Sequence, residues 1–245
     1  SIPLDLEKEQ LGIKILKELK LKPKKEPNWN EWKKLVNRIK QPKKTVKIAI
    51  VGKYVEIGDY DLADSYLSVN QALIHAGASL DLGVEIHWVD SKRFEDDGKK
   101  IGILKDYDGI IVPGGFGGSG VEGKIKAINY ARIHNIPYLG LCYGLQLAVV
   151  EFARNVCHIK NANTTENGKT DAPVIDILPT QKELMEKSQY GATMRLGAYA
   201  AVLKEKSQVL KLYNETGRLK EDAEKIGKLK KDKTQEFRLG ILDHN

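Results

Sequence analysis

From Val46 onward the chain alternates short β-branched runs with amphipathic helices, and that rhythm is the signature of a parallel sheet covered on both faces. Val46–Val51 (VKIAIV) reads as a first strand, Leu62–Ala76 as a helix and Val84–Val89 as a second strand. Asp108–Val112 (DGIIV) follows as a third strand, Val121–Asn135 as a helix, Ile136–Leu141 (IPYLGL) as a further strand and Tyr143–Asn155 as another helix. The pattern predicts an α/β fold, doubly wound, with a mainly parallel sheet. After Asn161 it weakens into shorter strand-like pieces, Val174–Leu178 and Ala198–Leu203, and Asn214–Lys233 reads as a charged loop or an exposed helix.

The first 45 residues follow a different rhythm. Leu6, Leu11, Ile13, Ile15, Leu16 and Leu19 recur at near-helical spacing over residues 5–22, and Pro23 and Pro27 stop the pattern. A second helix, Trp29–Ile39, is predicted to start beside Asn28 or Asn30 as cap and to bury Trp29, Trp32, Leu35 and Ile39. Gln41-Pro42-Lys43-Lys44 then reads as a joint, so the expectation is a helical linker over 1–45 and a catalytic-type domain over 46–245.

Charge follows the same division. Residues 1–45 hold 13 Lys and Arg against 6 Asp and Glu, and that surplus of seven equals the formal net charge of +7 of the whole chain. The rest is balanced, so no groove of converging basic groups and aromatics is expected, and nucleic acid is not an expected partner. No run approaches the ~20 apolar residues of a membrane span. The opening SIPLDLEKEQ lacks the order of a signal peptide, so a cytoplasmic protein without a membrane partner is expected. Two cysteines, Cys142 and Cys157, make no disulfide framework, and no Cys/His cluster has metal spacing.

The sharpest chemical signal is Gly140-Leu141-Cys142-Tyr143-Gly144, between a buried-type strand and an apolar-periodic helix. This is the pattern of a nucleophile elbow, in which the flanking glycines remove Cβ atoms that would collide. The thiol then stands at a helix N-terminus, where aligned amides favour thiolate, and the Tyr143 N–H would face a developing oxyanion. Cys157 has no such bracket and reads as an ordinary cysteine. The second signal is Val112-Pro113-Gly114-Gly115-Phe116-Gly117, at the carboxyl end of a predicted strand, where open α/β sheets place ligands. Its backbone could supply the other oxyanion donor, and it is no phosphate loop, since no Gly-Lys-Ser/Thr follows.

Together PGGFG, EGK (Glu122–Lys124), GLCYGLQ (Gly140–Gln146), VVEFARN (Val149–Asn155) and TMRLG (Thr193–Gly197) resemble the class I glutamine amidotransferase domain of CTP synthases. VGKYV (Val51–Val55) and SYLSV (Ser65–Val69) resemble it too, and the likeness runs from about Ser1 to Tyr213. The resemblance implies a flavodoxin-like doubly wound fold and hydrolysis of L-glutamine to glutamate and ammonia, with no cofactor or metal in this domain. The implied partner is a synthetase domain that uses ATP and magnesium to aminate UTP in pyrimidine biosynthesis. That domain precedes the linker in the family and is not within these residues.

Position by position, Cys142 resembles the nucleophile that forms a glutamyl thioester, and Gly115 and Tyr143 the residues whose amides form the oxyanion hole. Gly144, Leu145 and Gln146 match the rest of the glutamine-contacting turn. Glu166 falls where the family holds the substrate's α-amino group, a role suited to a carboxylate because an ammonium is best held by a charged acceptor.

The sequence departs from the family in three places. Its base is a histidine in a His-Pro-Glu element, and no His-Pro-Glu occurs here; Glu236–Asn245 resembles the segment just upstream of it. The arginine- and histidine-rich segment after the tyrosine matched by Tyr213 is absent between Asn214 and Gln235. The glycine loop reads Gly117-Gly118-Ser119-Gly120 where the family continues with an arginine, so the GTP activation of the family is not carried over. The expectation is a domain incomplete at its C-terminal end and a poor glutaminase by itself. Two other readings stay open: a noncatalytic amidotransferase-like module that docks through its basic helices, and a different cysteine hydrolase that recruits His158 as base.

Overall fold

The structure is a computed structural model, and it describes residues 2–52, 56–57, 60–61, 66–115, 118–177, 182 and 202–231. It divides into two compact units, Ser1–Leu178 and Pro179–Asn245. In the first unit three helices lead, α1 (Ile2–Lys8), α2 (Leu11–Glu18) and α3 (Asn30–Lys40). The helix expected over 5–22 is two, because Gln10 takes a left-handed conformation with φ 55° between them. The cap position of α3 is Trp29, between the two asparagines expected there, and it makes no side-chain capping bond; Asn28 Oδ1 accepts the Asn30 N–H at 3.0 Å just before it. The apolar face of α3 is less buried than the spacing predicts. Trp29 and Leu35 are half-buried, Trp32 and Ile39 are exposed, and none of these three helices has a fully buried residue. α3 belongs with the first unit, packing on α4 (Leu67–Ser79) and β4 (Leu82–Asp90).

The main sheet has the order β4-β1-β5-β6, all parallel, with β1 at Lys44–Gly52, β5 at Gly109–Val112 and β6 at Tyr138–Gly140. Strand β5 lies between β1 and β6, and all four of its residues are buried. A run of β-branched residues with no polar alternation fits only such a place, covered on both faces. One register pin is visible at its start: Asp108 Oδ2 accepts the Lys47 N–H at 2.7 Å, and the Asp108 N–H donates to the Lys47 carbonyl at 2.8 Å.

The winding follows from the order. The crossover β1–α4–β4 leaves to one side and β5–α6–β6, through α6 (Val121–Ile133), leaves to the other. Crossovers of one hand that depart in opposite directions put their helices on opposite faces and open a crevice at the carboxyl ends of the strands. The doubly wound reading therefore holds. Helix α7 (Tyr143–Asn155) packs beside α6 and starts and stops where the sequence pattern places it.

Two features had no expectation behind them. Short strands β2 (Glu56–Ile57) and β3 (Tyr60–Asp61) pair antiparallel, and α5 (Lys92–Asp96) with a 3₁₀ stretch (Gly98–Asp106) makes the connection from β4 to β5. Beyond α7, β7 (Ala162–Thr164) and β8 (Ala172–Ile175) pair parallel, where a strand was expected at Val174–Leu178. The strand expected at Ala198–Leu203 lies mainly outside the described residues. In the second unit, α8 (Gln208–Glu215) is capped by Ser207 Oγ, which accepts the Leu210 N–H at 3.2 Å, and α9 spans Arg218–Lys231. The exposed helix is thus the correct one of the two readings for that segment. No helix among the described residues is long and apolar enough to cross a membrane.

Polar groups lock α6 to α7. Glu151, 1% exposed, accepts from Asn129, from Asn155 and from the Arg132 guanidinium, with Arg132 Nη2 at 2.8 Å. Burial pushes the Glu151 carboxyl up, but these donors and the Arg132 charge outweigh it and hold it below the usual glutamate value. Glu151→Ala is expected to cost about 3 kcal/mol in chemical denaturation, since it strands donors built around a buried carboxylate. The sign with pH is that of a depressed acid. The contribution is complete at neutral pH and is lost as pH falls below about 4.3, so Glu151→Gln should flatten the acid limb of a stability–pH curve.

Candidate active site

The crevice at the carboxyl ends of β5 and β6 holds the two glycine-bearing turns. At the β6–α7 turn Cys142 has φ 53° and ψ −112°, a region that side chains avoid. Holding it costs of order 1–3 kcal/mol and persists only where the surroundings dictate it. Here they do. The Leu141 N–H donates to the Val112 carbonyl at 2.9 Å, while the Gly144 N–H closes the turn onto the Leu141 carbonyl at 2.9 Å. A Cβ at Gly144 would overlap the Val112 carbonyl, and one at Gly140 would lie 2.7 Å from the Gly144 main chain. Both bracketing glycines are therefore demanded by close main-chain approach. From the other side Tyr138 Oη donates to the Gly144 carbonyl at 2.8 Å.

The Cys142 thiol is exposed, and so is that of Cys157. Opposite Cys142 stands the glycine loop: a Cβ added to Gly114 would lie 3.2 Å from Cys142 Cβ and 3.5 Å from its Sγ. Tyr66 Oη, just before α4, donates to the Gly114 carbonyl at 3.3 Å. Among the described residues, the N–H groups of Gly115 and Tyr143 have no hydrogen-bond acceptor. One lies in the loop facing the thiol and the other directly follows it. Two unengaged main-chain donors beside a strained thiol can stabilise the oxyanion of an acyl transfer.

The other expected residues lie around this pair. Gly144 is buried, Gln146 half-buried and Leu145 60% exposed. The Tyr143 side chain is 3% exposed, and burial, then the charges of Glu166 and Glu122, push its hydroxyl up to about 12. Glu166 sits in the 3₁₀ turn Thr165–Asn167, capped by Thr164, and is exposed. Its field reaches Tyr143, and its neighbour Asn167 meets the glycine loop, with Oδ1 3.1 Å from where a Gly118 Cβ would be. The turn bearing Glu166 is thus brought to the same crevice. Phe116 and Gly117 lie outside the described residues.

Several residues that build the site were not singled out for a role in the sequence. Glu95 on α5 accepts from the N–H groups of Gly120, Glu122 and Gly123, at 3.2, 2.9 and 3.4 Å, and so caps α6. Nothing local marks it, because the partners are 25 to 28 residues away. Lys124, 2% exposed, lies with Nζ 5.9 Å from the Tyr143 ring centroid and close to Gly115. Arg154 donates to both Glu122 carboxylate oxygens, at 3.0 and 2.9 Å, and to the Ala162 carbonyl at 2.6 Å. EGK and EFARN were visible as motifs, and their charged residues turn out to tie α6, α7 and β7 together.

No described histidine stands in the turn. His75 is on α4, His87 on β4, and His134 beyond α6 with Nδ1 2.9 Å from the Tyr130 carbonyl oxygen. His158 follows α7, whose 13 residues span about 20 Å, so it sits at the opposite end of that helix from Cys142. The reading that recruits His158 as base fails on this distance. His244 lies outside the described residues, among which no group of His, Cys, Asp and Glu is arranged to hold a metal ion.

Comparison with known proteins gives the family. The family model described as Glutamine amidotransferase class-I matches residues 61–223, and the chain belongs to that family. Two relatives that it resembles are CTP synthases. The protein of Methanocaldococcus jannaschii is 52% identical over 220 residues, which cover 87% of this chain and 39% of that one. The protein of Sulfolobus acidocaldarius is 49% identical over 215 residues, with 87% and 39% covered. The chain thus spans about two fifths of the length of these relatives. Among solved structures, a Trypanosoma brucei CTPS glutaminase domain with bound acivicin superposes with a TM-score of 0.60 at 38% identity, covering 69% of this chain and 62% of that one.

The elbow makes a stability prediction. Gly144→Ala should destabilise the fold by about 3 kcal/mol or more, because the added methyl has only main chain to displace. Gly102→Ala, with nothing within 4 Å of the new Cβ, should change the denaturation midpoint little.

Proposed function

We propose that this chain is the glutaminase part of a CTP synthase-type enzyme, hydrolysing L-glutamine to glutamate and ammonia through Cys142. The observation that carries the reading is the strained, exposed Cys142 at the β6–α7 turn, faced by the unengaged N–H groups of Gly115 and Tyr143. The Cys142 sulfur attacks the side-chain amide carbon of glutamine, and the carbonyl electrons move onto oxygen, where the two N–H groups receive them. Collapse breaks the C–N bond, the nitrogen takes a proton and leaves as ammonia, and a thioester remains. Water attacks the thioester, the thiolate departs with its electron pair, and glutamate is released.

Glu166 is assigned the substrate's α-ammonium, and Gly144, Leu145 and Gln146 the walls of the glutamine turn. In the longer protein the ammonia would serve ATP- and magnesium-dependent amination of UTP in a synthetase domain. The sequence contains no His-Pro-Glu, and the described histidines stand away from the turn. The proposal therefore assigns the base to a group outside these 245 residues. The same absence favours the second reading, a noncatalytic module that keeps the fold for docking.

A glutamine-like diazo-ketone separates these ideas. Mass spectrometry should find Cys142 modified and Cys157 spared; since both thiols are exposed, accessibility alone would label them alike, and equal labelling would sink the enzymatic reading. Fusing a His-Pro-Glu tail of the family should raise ammonia release by about 10²-fold or more, the usual worth of a positioned base. Release that stays at background after the fusion marks the noncatalytic module.

A further inference from the structure

Of the two donors assigned to the oxyanion, the Tyr143 N–H is fixed by the start of α7, whereas the Gly115 N–H belongs to a glycine loop with no Cβ to restrain it at either Gly114 or Gly115. Something must choose which way that peptide faces. The Gly114–Gly115 peptide is trans, so its C=O and N–H point to opposite sides. Tyr66 Oη donates to the Gly114 carbonyl at 3.3 Å, and the Tyr66 ring stacks on Trp88 with centroids 5.5 Å apart and planes at 20°.

Trp88 lies on β4, and the sheet order is β4-β1-β5-β6. The carbonyl of the loop that extends β5 is thus drawn toward the β1 and β4 side, which turns the Gly115 N–H toward the β6 side, where Cys142 stands. We infer that Tyr66 is a positioning residue: its hydroxyl, held by the Trp88 stack, fixes the Gly114–Gly115 peptide so that the Gly115 N–H is presented to the oxyanion. The inference rests on the glutaminase reading and gives a role to the SYLSV motif, which the mechanism otherwise leaves unused.

The test compares two reactions of the same sulfur in the full chain. Acylation by the γ-(4-nitrophenyl) ester of L-glutamate at mildly alkaline pH forms the S–C bond, passes through an oxyanion and expels 4-nitrophenolate with the C–O electron pair. Its leaving group needs no proton, and the proton of the attacking thiol passes to the buffer. Alkylation by iodoacetamide displaces iodide in one step and creates no oxyanion.

Tyr66→Phe should slow acylation of Cys142 about tenfold, less than the loss of a donor outright, while alkylation and the thermal midpoint stay unchanged. Trp88→Phe, which keeps the hydroxyl but shrinks the surface on which its ring stacks, should slow acylation in the same direction and by less than Tyr66→Phe does. Unchanged acylation in Tyr66→Phe, or equal slowing of acylation and alkylation, would overturn the inference and leave the glutaminase reading standing. A wild-type chain that the ester does not acylate at Cys142 removes that reading, and the inference with it.

Discussion

The crevice depends on how closely two main chains meet at Val112. Its carbonyl accepts the Leu141 N–H, and the Gly144 backbone comes so near that a methyl group there would overlap it. This approach bends the chain sharply out of β6 and into α7, and the bend forces Cys142 into a conformation that a side chain adopts only when the surroundings dictate it. Tyr138 closes the turn from beneath, and burial together with the Glu151 charge pushes its hydroxyl up, so it remains a neutral donor to the Gly144 carbonyl. The place of Cys142 is therefore set by strand pairing and packing rather than by any polar contact of the thiol.

A second set of contacts holds the opposite wall. Glu95 fixes the start of α6, Arg154 bridges α6 to the β7 segment that leads to Glu166, and the Glu151 cluster joins α6 to α7. The first two tie a loop of the crevice to a rigid element, and the third joins two helices. Glu122 of EGK and Glu151 and Arg154 of EFARN serve here as braces between elements.

The parallel sheet was legible because Ile110, Ile111 and Val112 form an uninterrupted apolar run between turn signals, and α7 because Leu147, Val150 and Ala153 recur on one face. The elbow was legible because glycine spacing reports local main-chain approach directly. The burial of Trp32 and Ile39 was misread, since periodicity gives a face but not what covers it. Glu95 and Tyr66 escaped a role because their partners, Glu122 and Gly114, are 27 and 48 residues away, and no local pattern encodes such a contact. The two-helix break at Gln10 was hidden for a simpler reason: glutamine is a good helix former, and its left-handed conformation has no compositional cue.

The cap on α6 also bears on selectivity. The amides at the beginning of a helix ordinarily attract anions, and this helix begins at the end of the glycine loop, beside the crevice. The Glu95 carboxylate already occupies them. That berth is filled from within the fold, and any other anion would have to displace Glu95 to reach it.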